Sequence, residues 1–212
     1  MFHHCAYGLP LDQLDVAIVG ESRSTLSLLK SVLEDLGVAR VRAYGGALAA
    51  MSAMPSEPPN FLITDWNMEP MNGCDLIATV RHISFRVLNP LPVLLLTTFA
   101  TRSLVQDAVA AGATHILTKP FSAHALRQRL KWVLADDRTL IQRGNYVQIT
   151  GTENKLLDLV SALQLGSGDG LLLPYAYSQR TNGERGAARG WQRTTAPEGE
   201  GASATAIETW EV

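Results

Sequence analysis

The sequence predicts an α/β protein: a doubly wound, five-stranded parallel sheet of order 2-1-3-4-5, followed by a C-terminal tail. Two observations predict it. Five short apolar runs, at residues 16–19, 38–43, 61–64, 93–96 and 115–118, alternate with five longer stretches of helical periodicity. The run Val93-Leu94-Leu95-Leu96 is continuously apolar, as a strand must be when crossover helices cover both faces of a parallel sheet. Right-handed crossovers between successive strands then lead most simply to the order stated.

The first run, 16–19, precedes a helical pattern at 25–36, where Leu26, Leu29, Val32, Leu33 and Leu36 recur at threes and fours and form one apolar face. Ser24 is the expected N-cap and Gly37 the expected stop. Arg40 and Arg42 interrupt the second run, which suits an edge strand. Helical patterns at 47–54, 75–80 and 103–111 separate the next three runs. A fifth helix at 123–134 turns Leu126, Leu130, Val133 and Leu134 inward and Arg127, Arg129 and Lys131 elsewhere. The folded domain is thus expected over 11–137, after an N-terminal arm at 1–10. Residues 138–212 are expected to be a linker and disordered tail, with one possible short helix marked by Leu156, Leu157, Val160 and Leu163. The Gly-Ser-Gly-Asp-Gly run at 166–170 ends that helix. Further on, Arg180, Arg185, Arg189 and Arg193 are diluted by Glu184, Glu198 and Glu200, which reads as a solvated tail rather than an RNA-binding one.

With 212 residues, 46% of them hydrophobic, the chain can bury a substantial core. A formal net charge of −2 argues against general affinity for DNA or an anionic membrane. The two cysteines, Cys5 and Cys74, are too few for a disulfide framework, and no apolar run approaches a membrane span. The N-terminus lacks the pattern of a signal peptide. A soluble, cytoplasmic protein is expected. His3, His4 and Cys5 have the look of metal ligands, but a cluster on a terminal arm is read as disordered.

In an open parallel sheet, ligands bind beyond the carboxyl ends of the strands. The polar residues at those ends are Glu21, Asp65, Thr97 and Lys119, with Thr98 as the alternative hydroxyl if the register slips by one. Two carboxylates, a hydroxyl and an ammonium at one rim suit phosphoryl chemistry. The acids can hold Mg²⁺, one of them can be the nucleophile, and the lysine and hydroxyl can bind phosphoryl oxygens.

The segment Phe-Leu-Ile-Thr-Asp65-Trp-Asn-Met-Glu-Pro-Met-Asn-Gly73 resembles the phospho-acceptor strand and loop of response-regulator receiver domains of two-component systems, especially the stand-alone chemotaxis type. Leu-Pro-Val-Leu-Leu-Leu-Thr97 resembles the fourth strand with its switch threonine, and Gly-Ala-Thr-His-Ile-Leu-Thr-Lys119-Pro120-Phe121 the fifth strand and its lysine–proline turn. The resemblance covers residues 14–134 with every element in order, and it implies the flavodoxin-like form of the fold. It further implies that Asp65 accepts a phosphoryl group from a histidine kinase or histidine phosphotransfer protein. Glu21, Asp65 and the backbone carbonyl of Asn67 would ligate Mg²⁺, Thr97 would swing toward the phosphoryl group, and Lys119 would pair with it. The Lys119–Pro120 bond is usually cis in such proteins. Such a protein is not an enzyme acting on a metabolite; it catalyses only its own phosphorylation and dephosphorylation. The fourth helix, fifth strand and fifth helix would contact a downstream protein or a second copy.

Three departures stand out. Gly20 and Glu21 replace the family's two adjacent acids, Ile116 replaces the aromatic switch, and Glu69 stands where a proline is common. They keep open an alternative, a degenerate receiver that binds partners unphosphorylated. Other classes fit less well. Haloacid-dehalogenase-type phosphatases need an acid at position 67, where this chain has asparagine. A flavin carrier would want a phosphate loop free of Glu21, no nucleotide P-loop is present, and 138–165 is too short for a DNA-binding module.

Overall fold

The computed structural model describes residues 2–151. The possible short helix near Leu156 and the charged stretch beyond it lie outside the described residues. After a short 3₁₀ turn, five strands alternate with five helices: β1 (Asp15–Val19), α1 (Arg23–Asp35), β2 (Arg40–Tyr44), α2 (Ala47–Ala53), β3 (Phe61–Asp65), α3 (Gly73–Arg81), β4 (Val93–Thr97), α4 (Arg102–Ala111), β5 (His115–Thr118) and α5 (Ala123–Leu134). All neighbours in the sheet are parallel, and the order is β2-β1-β3-β4-β5, as expected.

Strand residues alternate between the two faces, and each face has its own core. Val16, Ile18, Phe61, Ile63, Leu94, Leu96 and Leu117 pack with Leu26, Leu29 and Leu33 of α1 and Leu126, Leu130 and Val133 of α5. Ala17, Val19, Leu62, Val93, Leu95 and Ile116 pack with α2, α3 and α4 on the opposite side. Each fully buried Leu, Ile or Val stabilises the fold by about 1.5–3 kcal/mol. Side chains of Ser22, Asn72, Thr101 and Ser122 cap α1, α3, α4 and α5, each supplying an acceptor to a backbone N–H that the helix leaves unpaired. The cap of α1 is Ser22 rather than the expected Ser24, so the helix begins two residues earlier. Gly37 follows it with φ +86°, which suits its expected role as the stop.

Strand β2 lies at the sheet edge with its charges paired. Arg42 grips Asp15 through Nε–Oδ1 at 3.0 Å and Nη2–Oδ2 at 2.8 Å, and Arg40 reaches Glu57 at 3.0 Å. A charged edge strand resists pairing with other chains. Arg81 at the end of α3 is fully buried. It donates to the carbonyls of Gly112 (3.0 Å), Asn89 (2.9 Å) and Leu91 (2.6 Å), tying the approach to β4 to the end of α4.

Two segments differ from the sequence reading. Residues 138–151, expected as linker and tail, contain an antiparallel hairpin, β6 (Leu140–Arg143) and β7 (Tyr146–Ile149). A two-residue Gly144-Asn145 turn joins them, with Gly144 at φ +60°. The hairpin is held on both sides: Leu140 bridges to Phe2, and Tyr146 bridges to His82 at the end of α3. The N-terminal arm, expected to be disordered, is packed. Ala6 joins the core beside α1 and α5, and the His4 ring is buried against the Val133 carbonyl at 2.9 Å. An isolated hairpin is marginally stable, and the Leu140 N–H joins this one to the arm by donating to the Phe2 carbonyl at 2.8 Å.

Candidate functional site

The carboxyl ends of β1, β3, β4 and β5 converge on one rim. Asp65 is the last residue of β3, not the residue after it, and is 8% exposed. Its position is set by the strand ladder, with Asp65 opposite Leu96, and by the Trp66 N–H donating to the Leu96 carbonyl at 2.8 Å. Lys119 follows β5 directly. Its N–H donates to the Thr97 carbonyl at 2.7 Å, and its peptide bond to Pro120 is cis. Its Nζ donates to Asp65 Oδ1 at 2.8 Å. The rim thus joins a nearly buried carboxylate to a partly buried ammonium, a charge-assisted bond of the stronger kind.

Two glycines permit this geometry. A Cβ on Gly20 would lie 2.8 Å from Asp65 Oδ2. The space that a second acidic side chain would need is therefore taken by the Asp65 carboxylate itself, which leans toward the end of β1. A Cβ on Gly73 would lie 2.2 Å from the Asp65 carbonyl oxygen. Only glycine lets α3 start this close to β3, and its N–H closes the intervening loop on the Trp66 carbonyl at 2.9 Å.

The other expected residues occupy the same rim in different states. The Glu21 side chain is exposed, and its Oε1 accepts the Glu69 N–H. The Glu69–Pro70 peptide is cis. The anchoring of Glu21 by Glu69 was not foreseen; a backbone donor leaves no side-chain signal in a sequence. Asn67 is exposed in the loop after β3. Thr97 is buried at the end of β4, whereas Thr98 is exposed. The Thr97 hydroxyl is bound within its own loop: Oγ1 donates to the Phe99 carbonyl at 3.0 Å and accepts the Phe99 N–H at 3.2 Å. Asp65 and Lys119 are thus in contact, Glu21 is held to the facing loop, and Thr97 is engaged elsewhere.

The sequence matches a known family. The sequence profile described as "Response regulator receiver domain" matches residues 16–131, more than half of the chain. The chain belongs to the response regulator receiver family. The receiver is 32% identical over 118 residues to the chemotaxis protein CheY of Pseudomonas aeruginosa, a match covering 56% of this chain and 94% of that one. It is likewise 32% identical over 117 residues to CheY-3 of Vibrio cholerae, covering 55% and 88%. Among solved structures it resembles Vibrio cholerae CheY4, with a TM-score of 0.53 and 27% identity over 57% of this chain and 98% of that one. Residues 16–131 are therefore a CheY-like receiver domain, of a family that acts in signalling rather than metabolism. The N-terminal arm and the β6–β7 hairpin lie outside the matched range.

Donors for a metal are limited. Among the described residues no three His, Cys, Asp or Glu side chains cluster in a way that could hold an ion. The residues expected to hold Mg²⁺ stand at or just after strand ends, Glu21 beyond β1, Asp65 at the end of β3 and Asn67 two residues further on. They offer hard oxygen donors that fit Mg²⁺, which takes one or two carboxylates and keeps several waters. The departure at Gly20 reduces the set without changing its chemistry.

Away from the rim, Ile116 is buried among α4 residues Leu104, Val105 and Ala108, so no ring is available there to rotate. On the outer side of β5 the His115 ring stacks on Trp132 of α5 with centroids 5.9 Å apart, and the Arg129 guanidinium lies 4.5 Å from the Trp132 ring. Trp132 remains 45% exposed. Among the described residues no helix is long and apolar enough to cross a membrane.

Proposed function

We propose that this receiver takes a phosphoryl group on Asp65 from the phosphohistidine of a sensor kinase or histidine phosphotransfer protein, and that it signals through protein contact. The observation that carries this reading is the 2.8 Å pair of Asp65 Oδ1 and Lys119 Nζ at the carboxyl rim of a receiver sheet. A carboxylate oxygen of Asp65 attacks phosphorus, the P–N bond breaks, and the imidazole leaves with the bonding pair and takes up a proton. The product is an acyl phosphate, which water later hydrolyses. Lys119 moves from the carboxylate to the phosphoryl oxygens, where charge accumulates. Thr97 exchanges its two bonds to the Phe99 backbone for one to the phosphoryl group. Asp65, Glu21 and the Asn67 carbonyl would hold Mg²⁺, which when bound supplies positive charge to the phosphoryl oxygens.

The output surface in this reading is made by α4, β5 and α5, with Trp132 as its exposed aromatic, and meets a downstream protein or a second copy of the chain. The reading assigns no contact to DNA or membrane and puts the protein in the cytoplasm, with its kinase partners. A second reading, an unphosphorylated interaction module, is favoured by one observation: Glu21 is bound to the Glu69 N–H, with Gly20 beside it in place of a second acid.

Incubation with acetyl phosphate and Mg²⁺ tests both. Intact mass is expected to show one added phosphoryl group on the wild type and none on Asp65→Asn. No gain on the wild type, under conditions that phosphorylate a control receiver, would establish the second reading instead.

A further inference from the structure

The N-terminal arm carries an imidazole into the interior. His4 is 2% exposed, and its Nε2 lies 2.9 Å from the Val133 carbonyl oxygen near the end of α5. A carbonyl can only accept, so Nε2 bears the proton and the neutral ring keeps its lone pair on Nδ1. Nδ1 is buried and has no hydrogen-bond partner among the described residues. A second proton would have to go there, leaving a cation with an unsatisfied N–H out of contact with water.

Around this ring the arm is stitched down by backbone bonds to three separate elements. The Cys5 N–H donates to the Pro90 carbonyl at 3.0 Å, the Gly8 N–H to the Leu134 carbonyl at 2.9 Å, and the Leu140 N–H to the Phe2 carbonyl at 2.8 Å. We propose that the arm is a proton-operated strap: with His4 neutral it closes over the end of α5 and the edge of β6, and protonation of His4 on Nδ1 opens it. Opening releases the carbonyls of Val133 and Leu134 and the outer edge of β6. Because α5 belongs to the partner face proposed above, the strap would make that face respond to pH. The strap itself does not rest on phosphorylation.

The charged and titratable groups that face His4 act in both directions. Burial pulls the imidazole below its ordinary value, and Arg81 of α3 and the neighbouring His3 pull it the same way. The Val133 hydrogen bond and Asp136, just after α5, oppose this. Asp136 is itself gripped by Arg138, with Nε 2.7 Å from Oδ1, which offsets its charge. The Tyr7 ring meets the imidazole edge-on at 6.2 Å. Above the ordinary value of 6.5 the ring is neutral whether the strap is open or closed, and closure is at full strength. As the pH falls below 6.5 the open form binds the proton first, and closure weakens by up to about tenfold per pH unit until the closed ring titrates too.

Amide hydrogen exchange on the full chain, with protection factors corrected for the intrinsic rate, tests the strap. Between about pH 6.5 and 5.5, protection of Cys5, Gly8 and Leu140 is expected to fall by up to about fivefold while Ile63 and Leu94 in the central strands keep theirs. His4→Gln keeps a donor for Val133 and cannot titrate, so its protection is expected to be independent of pH. Constant protection in the wild type, or an unchanged pH response in His4→Gln, would overturn the proposal. If the arm of His4→Gln is already open at neutral pH, the wild-type ring titration followed by NMR decides. A midpoint below 6.5, with arm protection falling between pH 6.5 and that midpoint, supports the strap, and any other result overturns it.

Discussion

Lys119 Nζ lies 2.8 Å from Asp65 Oδ1 although 54 residues separate the two in the chain. Parallel register creates the contact. Asp65 stands opposite Leu96 on β4, Thr97 stands opposite Thr118 on β5, and Lys119 is the next residue along. Two strand ends, one on each side of β4, therefore point their terminal side chains into the same space.

Lys119→Ala removes this partner. The rate of phosphoryl uptake from acetyl phosphate is expected to fall about tenfold or more, equivalent to roughly 1.4 kcal/mol of transition-state stabilisation. The protein should also lose about 1–3 kcal/mol of stability in urea titration, because the Asp65 carboxylate is left largely buried without its donor. The double variant Asp65→Asn, Lys119→Ala should recover part of that loss. An unchanged uptake rate would remove Lys119 from the reaction.

The pair Gly20→Asp, Glu21→Asp brings back the family's two acids. A Cβ at position 20 displaces Asp65 Oδ2, which is the end of a side chain and can move. Isothermal titration is expected to show Mg²⁺ bound several-fold more tightly than by the wild type, since an extra carboxylate enters the donor set. Gly20→Ala supplies the same push without the ligand and should weaken the Asp65–Lys119 contact with no gain in Mg²⁺ affinity. Equal affinity in wild type and double variant would show that the departures cost the metal site nothing.

Arg81→Leu fills a similar volume but strands three carbonyls, those of Asn89, Leu91 and Gly112. Chemical denaturation should report a loss of roughly 3 kcal/mol or more, with the linear slope unchanged. Gly112, whose Cβ would come within 2.9 Å of the Arg81 side chain, explains why no larger residue could stand beside it. A loss under about 1 kcal/mol would mean that water satisfies the carbonyls equally well.

Truncation after Asp137 removes the β6–β7 hairpin and with it the partners of Phe2 and His82. The melting temperature is expected to drop by at least about 2–4 °C, the response to roughly 1 kcal/mol in a unit of ~150 residues. Protection of the Cys5 and Gly8 amides should drop with it, because the arm loses its contact to β6. A melting point equal to that of the full chain would return residues 138–151 to the status of a linker.

Period and order carried most of the fold. Residues 93–96 had to be a buried strand because a continuous apolar run of that length has no other inexpensive place, and the leucines of α1 had to face inward because they recur at the helical repeat. The acidic, hydroxyl and amine residues at the strand ends were legible for the same reason: alternation of β and α places every strand end on one rim. The hairpin was less visible, since its Gly144-Asn145 turn and short flanking runs are a weak local signal in a stretch otherwise rich in polar residues.

Contacts that join distant backbone groups were invisible before folding. No pattern in the chain announces that the Glu69 amide holds Glu21, that the Phe99 backbone holds Thr97, or that His4 lies beneath the end of α5. Local patterning is short-ranged chemistry and can be read residue by residue, so strand, helix and rim followed from it. The state of each side chain on that rim depends on which polar group arrives from elsewhere in the sequence, and only the packed sheet and helices determine that.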